Sequence, residues 1–166
     1  MSRAVLSLGS NIGDRAANLR GALASLRAAG ARVVAVSPVY ATPPWGGVEQ
    51  DEFLNAVVVV EDPASRSRDW LTRARAAESR AGRTRDVRWG PRTLDVDVLD
   101  VDGTTDDDPE LTLPHPRAHE RAFVLVPWLD VDPDAEVAGR GRVADLLAAL
   151  PSEERDGVRA DGADLR

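Results

Sequence analysis

Two aspartates, Asp95 and Asp97, lie two positions apart in an otherwise apolar stretch that alternates as a β-strand does. Side chains at such positions project from one face of a strand, with α-carbons about 6.6 Å apart. Two carboxylates on one face repel each other and lose hydration unless a cation lies between them. Oxygen ligands at this spacing suit Mg²⁺, which also binds substrate phosphates. A solvent-facing sheet edge would explain the pair equally well.

Arginine is concentrated just before this acidic pair. Residues 66–92 contain nine arginines and three acidic residues, although the whole chain has a net charge of −7. Guanidinium groups bind phosphate oxygens bidentately, so an arginine-rich loop beside two carboxylates is typical of a nucleotide triphosphate site. A solvated helix face rich in arginine is the alternative. The arginines nearest the pair are Arg83, Arg85, Arg88 and Arg92.

Asn55 is an amide within the apolar stretch 53–60. A buried amide costs stability unless its donor and acceptor are both satisfied, and a flat heterocycle with alternating donors and acceptors would satisfy both. Phe53, on the same strand face, and Phe123 are aromatic side chains that can stack on such a ring. A structural asparagine satisfied by the protein itself is the alternative.

Two other polar side chains have two interpretations each. His115 is a second candidate phosphate donor, or a structural histidine. Glu78 lies three residues after Arg75 on one predicted helix face, where an ordinary ion pair within the helix is the simpler account.

Hydrophobic periodicity predicts the elements that carry these residues. Leu19, Leu23 and Leu26 mark one stripe of a helix that begins after Asp14, a candidate N-cap, and ends before Gly30. Strands are predicted at 5–8, 32–40, 53–60 and 93–101, and further helices at 65–81, 122–129 and 142–150. The order strand, helix, strand, strand, helix, strand is that of a ferredoxin-like α+β fold with an antiparallel sheet.

Composition excludes several kinds of site. The chain has no cysteine, so disulfides and thiolate metal sites are absent, and no lysine, so neither Schiff-base chemistry nor a P-loop lysine is available. Its apolar runs are too short to span a bilayer. We expect a cytoplasmic protein with one domain at 1–150, and a disordered acidic tail at 151–166 because that segment has little apolar content.

Several short motifs, in order, resemble those of the 6-hydroxymethyl-7,8-dihydropterin pyrophosphokinase family. The longest is the stretch 88–99, Arg-Trp-Gly-Pro-Arg-Thr-Leu-Asp-Val-Asp-Val-Leu, and the resemblance extends over about residues 4–150. The shorter motifs are Gly9-Ser10-Asn11, Tyr40-Ala41-Thr42-Pro43-Pro44, Phe53-Leu54-Asn55-Ala56, Gly82-Arg83-Thr84-Arg85 and Leu113-Pro114-His115-Pro116-Arg117. Arg75 departs from the family pattern, which has glutamine there, and Asp86 stands where some relatives have a basic residue.

The resemblance implies an α/β/α sandwich, with helices on both faces of the sheet, that transfers pyrophosphate from ATP to the pterin hydroxymethyl group. It implies that Asp95 and Asp97 hold two Mg²⁺ ions and act in catalysis with Arg83, Arg85 and Arg92. The residues implied for ATP are Glu78, Arg83, Arg85, Arg92, Val98, Thr112, His115 and Arg121. Those implied for the pterin are Thr42, Pro43, Pro44, Trp45, Phe53, Asn55, Trp89 and Phe123.

Two alternatives remain beside this function. One is a ferredoxin-like module that binds RNA through aromatic residues on its sheet, which the acidic balance outside residues 66–92 disfavours. The other is a Mg²⁺-dependent nucleotidyltransferase with a different acceptor, from which only the pterin-facing residues distinguish the chain. We expect ATP and 6-hydroxymethyl-7,8-dihydropterin as partners of a monomer, with no nucleic acid and no membrane.

Overall fold

A computed structural model describes residues 2–43, 51–82 and 93–166 of the chain. The helices are α1 (Arg15–Ala28), α2 (Ser67–Arg80), α3 (Ala122–Val131), α4 (Val143–Ala149) and α5 (Ser152–Asp156), with a 3₁₀ helix at Ala118–Glu120. The longer strands are β1 (Ser2–Ser10), β2 (Arg32–Val36), β4 (Phe53–Asp62) and β5 (Asp95–Val101). The short strands are β3 (Tyr40–Thr42), β6 (Asp106–Asp108), β7 (Leu111–Leu113), β8 (Glu136–Val137), β9 (Gly141–Arg142) and β10 (Arg159–Ala160).

One antiparallel sheet forms the centre of the protein. Strand β1 lies between β4 and β5, while β2 and β3 pair with different parts of the other edge of β4, and β10 pairs with β3. The remaining strands form two separate hairpins, β6–β7 and β8–β9. The predicted ferredoxin-like α+β class is confirmed.

Side-chain alternation divides the core into two layers, one on each face of the sheet. Leu6 of β1 and Val58 of β4 pack in one cluster with the leucine stripe of α1 and with Trp70 of α2. Val57 and Val59 of β4 face the other way and pack in a second cluster with α3 and α4. Because the central strand β4 is apolar on both faces, helices cover both sides of the sheet, and the expected α/β/α sandwich is observed.

The ends of α1 follow the predicted signals. The Asp14 carboxylate accepts a hydrogen bond from the Ala17 N–H at 3.0 Å, as an N-cap residue does. Gly30 has a φ of +92°, in the left-handed region that a glycine after a helix adopts readily. No helix in the described part of the chain is both long and apolar enough to cross a bilayer.

The predicted single strand at 32–40 is wrong, because β2 and β3 are separate. Between them, the Ser37 N–H donates to the Val57 carbonyl, and the Val57 N–H donates to Ser37 Oγ, both at 2.9 Å. A serine side chain thus replaces a backbone acceptor, and Pro38 next to it has no N–H for a ladder. The ladder is interrupted here, and β3 begins a second, shorter antiparallel pairing with β4.

The C-terminal residues 151–166 are ordered in the structure, which corrects the expectation of a disordered tail. They form α5 and β10, and Leu165, only 5 % exposed, joins the core cluster beneath α1 and α2. The segment has little apolar content, but its one buried leucine and its pairing with β3 fix it to the body of the protein. Strand β6 lies within the acidic segment 102–109 and pairs with β7.

Candidate functional site

Three neighbouring strands bring polar residues together on the α3 side of the sheet. Gly9 of β1 pairs in register with Asn55 of β4 on one side and with Asp95 of β5 on the other. Ser7 pairs in the same way with Asp97. Since adjacent strands lie about 4.8 Å apart, the α-carbons of Asn55 and Asp95 are roughly 10 Å apart, with Gly9 between them.

Asn55 is a buried amide held by a neighbouring strand. Its Nδ2 donates to Thr42 Oγ1 at 2.6 Å, and both residues are only 3 % exposed. A Cβ added to Gly9 would lie 2.9 Å from Asn55 Oδ1 and 3.6 Å from Phe53 Cδ1. The glycine therefore leaves space beside the amide oxygen, on the side that leads towards Asp95.

Asp95 and Asp97 project from the site face of β5, and Arg121 at the start of α3 lies opposite them. Arg121 Nη1 is 3.9 Å from Asp97 Oδ2. Burial lowers the pKa of Arg121, and the negative charges of Asp97 and Asp95 oppose that shift while Arg117 adds to it. The guanidinium also lies over the Phe123 ring, 5.5 Å from its centroid. The arginine is thus fixed between the carboxylates and an aromatic ring.

The chemistry of this donor set fits Mg²⁺ better than a structural metal. Within the described ranges no group of three or more His, Cys, Asp or Glu side chains is arranged to hold a metal ion. Asp95 and Asp97 therefore form a two-carboxylate set on a partly exposed surface, with the Asp97 side chain 43 % exposed. Mg²⁺ commonly binds through one or two carboxylates and completes its shell with water and phosphate oxygens.

His115 is a neutral imidazole with a defined proton position. Burial lowers its pKa from 6.5 to about 4, and the charges of Arg121 and Arg117 add to the shift. Its Nδ1 accepts the Arg117 backbone N–H at 3.2 Å, so in the neutral ring the proton is on Nε2. His115 can therefore donate one hydrogen bond from Nε2 at neutral pH.

Glu78 of α2 supports β5 from the opposite side of the sheet. The side chain is buried, and its Oε2 accepts the Val96 backbone N–H at 3.0 Å. Val96 lies between the two aspartates, so this bond ties the helix to the part of β5 that presents them. Arg75, the predicted ion-pair partner of Glu78, has its guanidinium 3.9 Å from Glu110.

The other predicted residues are distributed around this centre. Phe53 and Phe123 are half-buried on the site face of the sheet. Val98 packs its side chain into the opposite core layer, so only its backbone can meet a ligand at the outer edge of β5. Thr112 Oγ1, on β7, donates to the Asp108 carbonyl at 3.0 Å, and Pro43 directly follows β3. Pro44, Trp45, Arg83, Arg85, Trp89 and Arg92 lie outside the described residues.

Three residues near the site belong to the motifs of the family resemblance, but the sequence analysis assigned them no role in the site. Gly9 provides the space beside Asn55, Asn11 Nδ2 donates to the Asp51 carbonyl at 3.0 Å, and the Tyr40 hydroxyl donates to Asp130. Gly9 and Asn11 belong to a Gly-Ser-Asn motif at the end of an apolar strand, a signal for a turn with close backbone approach. No local signal links Tyr40 to Asp130, ninety residues away in sequence.

A ferredoxin-like sheet with two carboxylates, a fixed arginine and a neutral histidine on one face defines an α+β protein that is suited to bind a phosphate-bearing ligand. Comparison with known proteins identifies its family. The sequence model of the 7,8-dihydro-6-hydroxymethylpterin-pyrophosphokinase family matches residues 5–133. The chain belongs to this family.

Proteins with similar sequences and structures support this family assignment. The 2-amino-4-hydroxy-6-hydroxymethyldihydropteridine pyrophosphokinase of Mycobacterium leprae is 55 % identical, over 100 % of this chain and 92 % of its own length. The enzyme of the same name from Mycobacterium tuberculosis is 51 % identical, over 96 % and 89 %. The crystal structure of Plasmodium falciparum HPPK-DHPS with pteroate superposes with a TM-score of 0.71 at 14 % identity. This superposition covers 89 % of the present chain and 44 % of that longer chain, and it supports the fold alone.

The hydrogen bond between Glu78 and Val96 should contribute to the stability of the fold. Glu78→Ala leaves a buried N–H without this acceptor, which costs about 1–3 kcal/mol in the free energy of unfolding. Glu78→Gln keeps an acceptor oxygen at the end of a side chain of the same length, so it should lose less than half as much unfolding free energy. Chemical denaturation of the three proteins measures the difference. Equal stability of Glu78→Ala and wild type would show that the bond does not hold β5 to α2.

The contribution of His115 to the stability of the fold should depend on pH. Because its pKa is lowered on folding, the unfolded chain binds the proton first, so the contribution of His115 to stability is present above pH 6.5 and lost towards pH 4. The stability difference between wild type and His115→Gln should shrink by up to about 3 kcal/mol from pH 7 to pH 4. Denaturation at several pH values tests this, with His119→Gln as the control. A pH-independent difference would contradict a neutral, buried His115.

Proposed function

We propose that the chain transfers pyrophosphate from ATP to the hydroxymethyl group of 6-hydroxymethyl-7,8-dihydropterin and releases AMP, as a step in folate biosynthesis. One observation supports this most directly: the buried amide of Asn55 and the carboxylate pair share one sheet face, with only Gly9 between Asn55 and Asp95. A heterocycle at the amide has its substituent directed at the carboxylates. All the residues involved come from one chain, so the proposal requires only a monomer.

The pterin lies between Phe53 and Phe123 in this proposal, because both aromatic rings border the site face. Asn55 uses one Nδ2 hydrogen for Thr42, which leaves its second N–H and its oxygen for the ring edge. The backbone around Thr42 and Pro43 lies beside the same edge. Pro44, Trp45 and Trp89 complete the pterin set by resemblance to the family.

The phosphates lie on the carboxylate side. Arg121 is held next to Asp97, where it can donate to a phosphate oxygen, and His115 offers its Nε2 hydrogen. Arg83, Arg85 and Arg92, which precede β5 in sequence, supply the remaining positive charge in this proposal. The nucleoside is placed at the outer edge of β5, where the Val98 backbone and Thr112 of the neighbouring β7 are close, with Glu78 beneath the strand.

Asp95 and Asp97 would hold two Mg²⁺ ions in the proposed complex, and such ions would supply positive charge to the phosphate oxygens of ATP. Carboxylates provide most of what Mg²⁺ needs from a protein when a nucleotide supplies the other ligands. The partly exposed position of Asp97 leaves access for water and for phosphate. Arg121 remains cationic beside the pair, so the face balances negative and positive groups.

The reaction is an in-line displacement. The pterin hydroxymethyl oxygen forms a bond to the β-phosphorus of ATP and loses its proton to water. The bond from that phosphorus to the oxygen bridging to the α-phosphate breaks, and AMP leaves with that oxygen. Such transfers need little covalent help from a protein, because positioning and charge stabilisation supply most of the acceleration. The sheet fixes the acceptor side at Asn55 and the phosphate side at Asp95, and Arg121 and His115 stabilise charge on the leaving phosphate.

Pterin-dependent formation of AMP from ATP and Mg²⁺ tests this function. Asp97→Asn removes one negative charge from the pair and should lower kcat at least about 100-fold, as the loss of one charge-stabilising group does. Asp107→Asn, an exposed position on β6, is the matched control and should be unaffected. Formation of ADP in place of AMP, or turnover without the pterin, would contradict the assignment.

Gly9→Ala tests the proposed position of the pterin beside Asn55. The added methyl group would come within 2.9 Å of Asn55 Oδ1, so the amide must move and the space beside it is lost. The KM for the pterin should rise at least about tenfold, while the KM for ATP stays within about twofold. Gly21→Ala, where an added Cβ meets nothing within 4 Å, is the control. An unchanged pterin KM would contradict the position of the pterin beside Asn55.

A further inference from the structure

The segment 157–166 adds a strand to the sheet next to the pterin side of the site. In β10, Arg159 pairs in register with Ala41, and the Asp161 N–H donates to the Val39 carbonyl at 2.9 Å. Leu165 anchors the end of the segment in the core. The Arg20 side chain, on α1, donates to the Asp164 carbonyl at 3.1 Å. Backbone pairing, a buried leucine and a side-chain bond therefore fix this segment.

The strand that β10 covers is short and carries a site residue. Strand β3 has three residues, Tyr40–Thr42, and pairs with β4 on its inner edge and with β10 on its outer edge. Thr42 Oγ1 accepts the hydrogen bond that orients the Asn55 amide. A three-residue strand with one neighbour frays readily, because few bonds oppose its opening. The position of Thr42 thus depends on both neighbours of β3.

Further contacts link the same segment to the residues on either side of 44–50. The Arg159 guanidinium forms an ion pair with Glu52. A Cβ built on Gly157 would lie 3.6 Å from Pro43 Cδ, so these two residues lie near each other at the ends of β10 and β3. Glu52 precedes β4 and Pro43 follows β3. The C-terminal segment therefore contacts the chain both after the end of β3 and before the start of β4.

We propose that β10 positions the acceptor-binding side of the site: it holds β3, and with it the Thr42–Asn55 pair that reads the edge of a flat heterocycle. This rests on the proposed function. Displacement of a binding group by about 1 Å can cost about 100-fold in rate, so a small loosening of β3 is enough to impair use of the acceptor. Two strands, β4 and β1, separate β3 from the carboxylate pair on β5, so the ATP side should be spared.

Asp161→Pro tests the structural step. Proline removes the N–H that donates to Val39, and it restricts Ala160 to the extended conformation that this residue already has. Asp161→Ala is the matched control, because both variants lose the bond from the Ala163 N–H to the Asp161 carboxylate and only the proline loses the ladder bond. Amide hydrogen exchange of β3, measured without substrates, should be at least tenfold faster in Asp161→Pro than in Asp161→Ala.

Steady-state kinetics of the same variants tests the functional step. The KM for the pterin should rise fivefold or more in Asp161→Pro, with the KM for ATP within twofold of wild type and Asp161→Ala unchanged. Equal exchange and equal pterin KM in the two variants would overturn the proposal, as would a parallel rise in both KM values with a lower Tm. Absence of pterin-dependent AMP release by wild type would refute the proposed function itself. The exchange measurement needs no substrate, so it tests the role of β10 independently of that function.

Discussion

The pairing of β1 with both β4 and β5 is the constraint on which the site depends. Antiparallel register determines the face on which every side chain lies, and a slip by one residue would move each side chain to the other face. In the observed register, Asn55, Gly9 and Asp95 form one row. The apolar residues at alternate positions of β1 and β4 pack under α1 and α2, so a slip would bury the polar row and expose the core. Core packing therefore fixes the site geometry.

Electrostatic balance is the second requirement of this face. Two carboxylates on an edge strand of an acidic protein need nearby positive charge, and Arg121 supplies it from α3. Burial and neighbouring arginines keep His115 neutral, so it adds a donor without adding a charge. Glu78 contributes from the opposite layer, where its carboxylate holds the backbone of β5. The strand with the aspartates is thus supported from both faces of the sheet.

The sequence alone is sufficient to predict the parts of this structure that local patterns determine. Alternation along 53–60 and 93–101 puts Asn55 with Phe53, and Asp95 with Asp97, on common strand faces, and Asp14 marks the start of α1. Contacts between residues distant in sequence have no such signal. The Glu78 side chain bonds a backbone N–H eighteen residues away, and Leu165 enters a core cluster whose other buried residues lie between Ala4 and Leu113. Low apolar content predicts disorder only when no single side chain finds a buried position.

The arrangement of ligands around Mg²⁺ is the most direct test of the account. A crystal structure with Mg²⁺, a non-hydrolysable ATP analogue and the pterin would show it. The account predicts that carboxylate oxygens of both Asp95 and Asp97 lie about 2.0–2.1 Å from Mg²⁺. It also predicts that the same Mg²⁺ binds phosphate oxygens and that the pterin ring lies beside Asn55. Triphosphate bound elsewhere, with the two carboxylates facing bulk solvent and no ion between them, would contradict it.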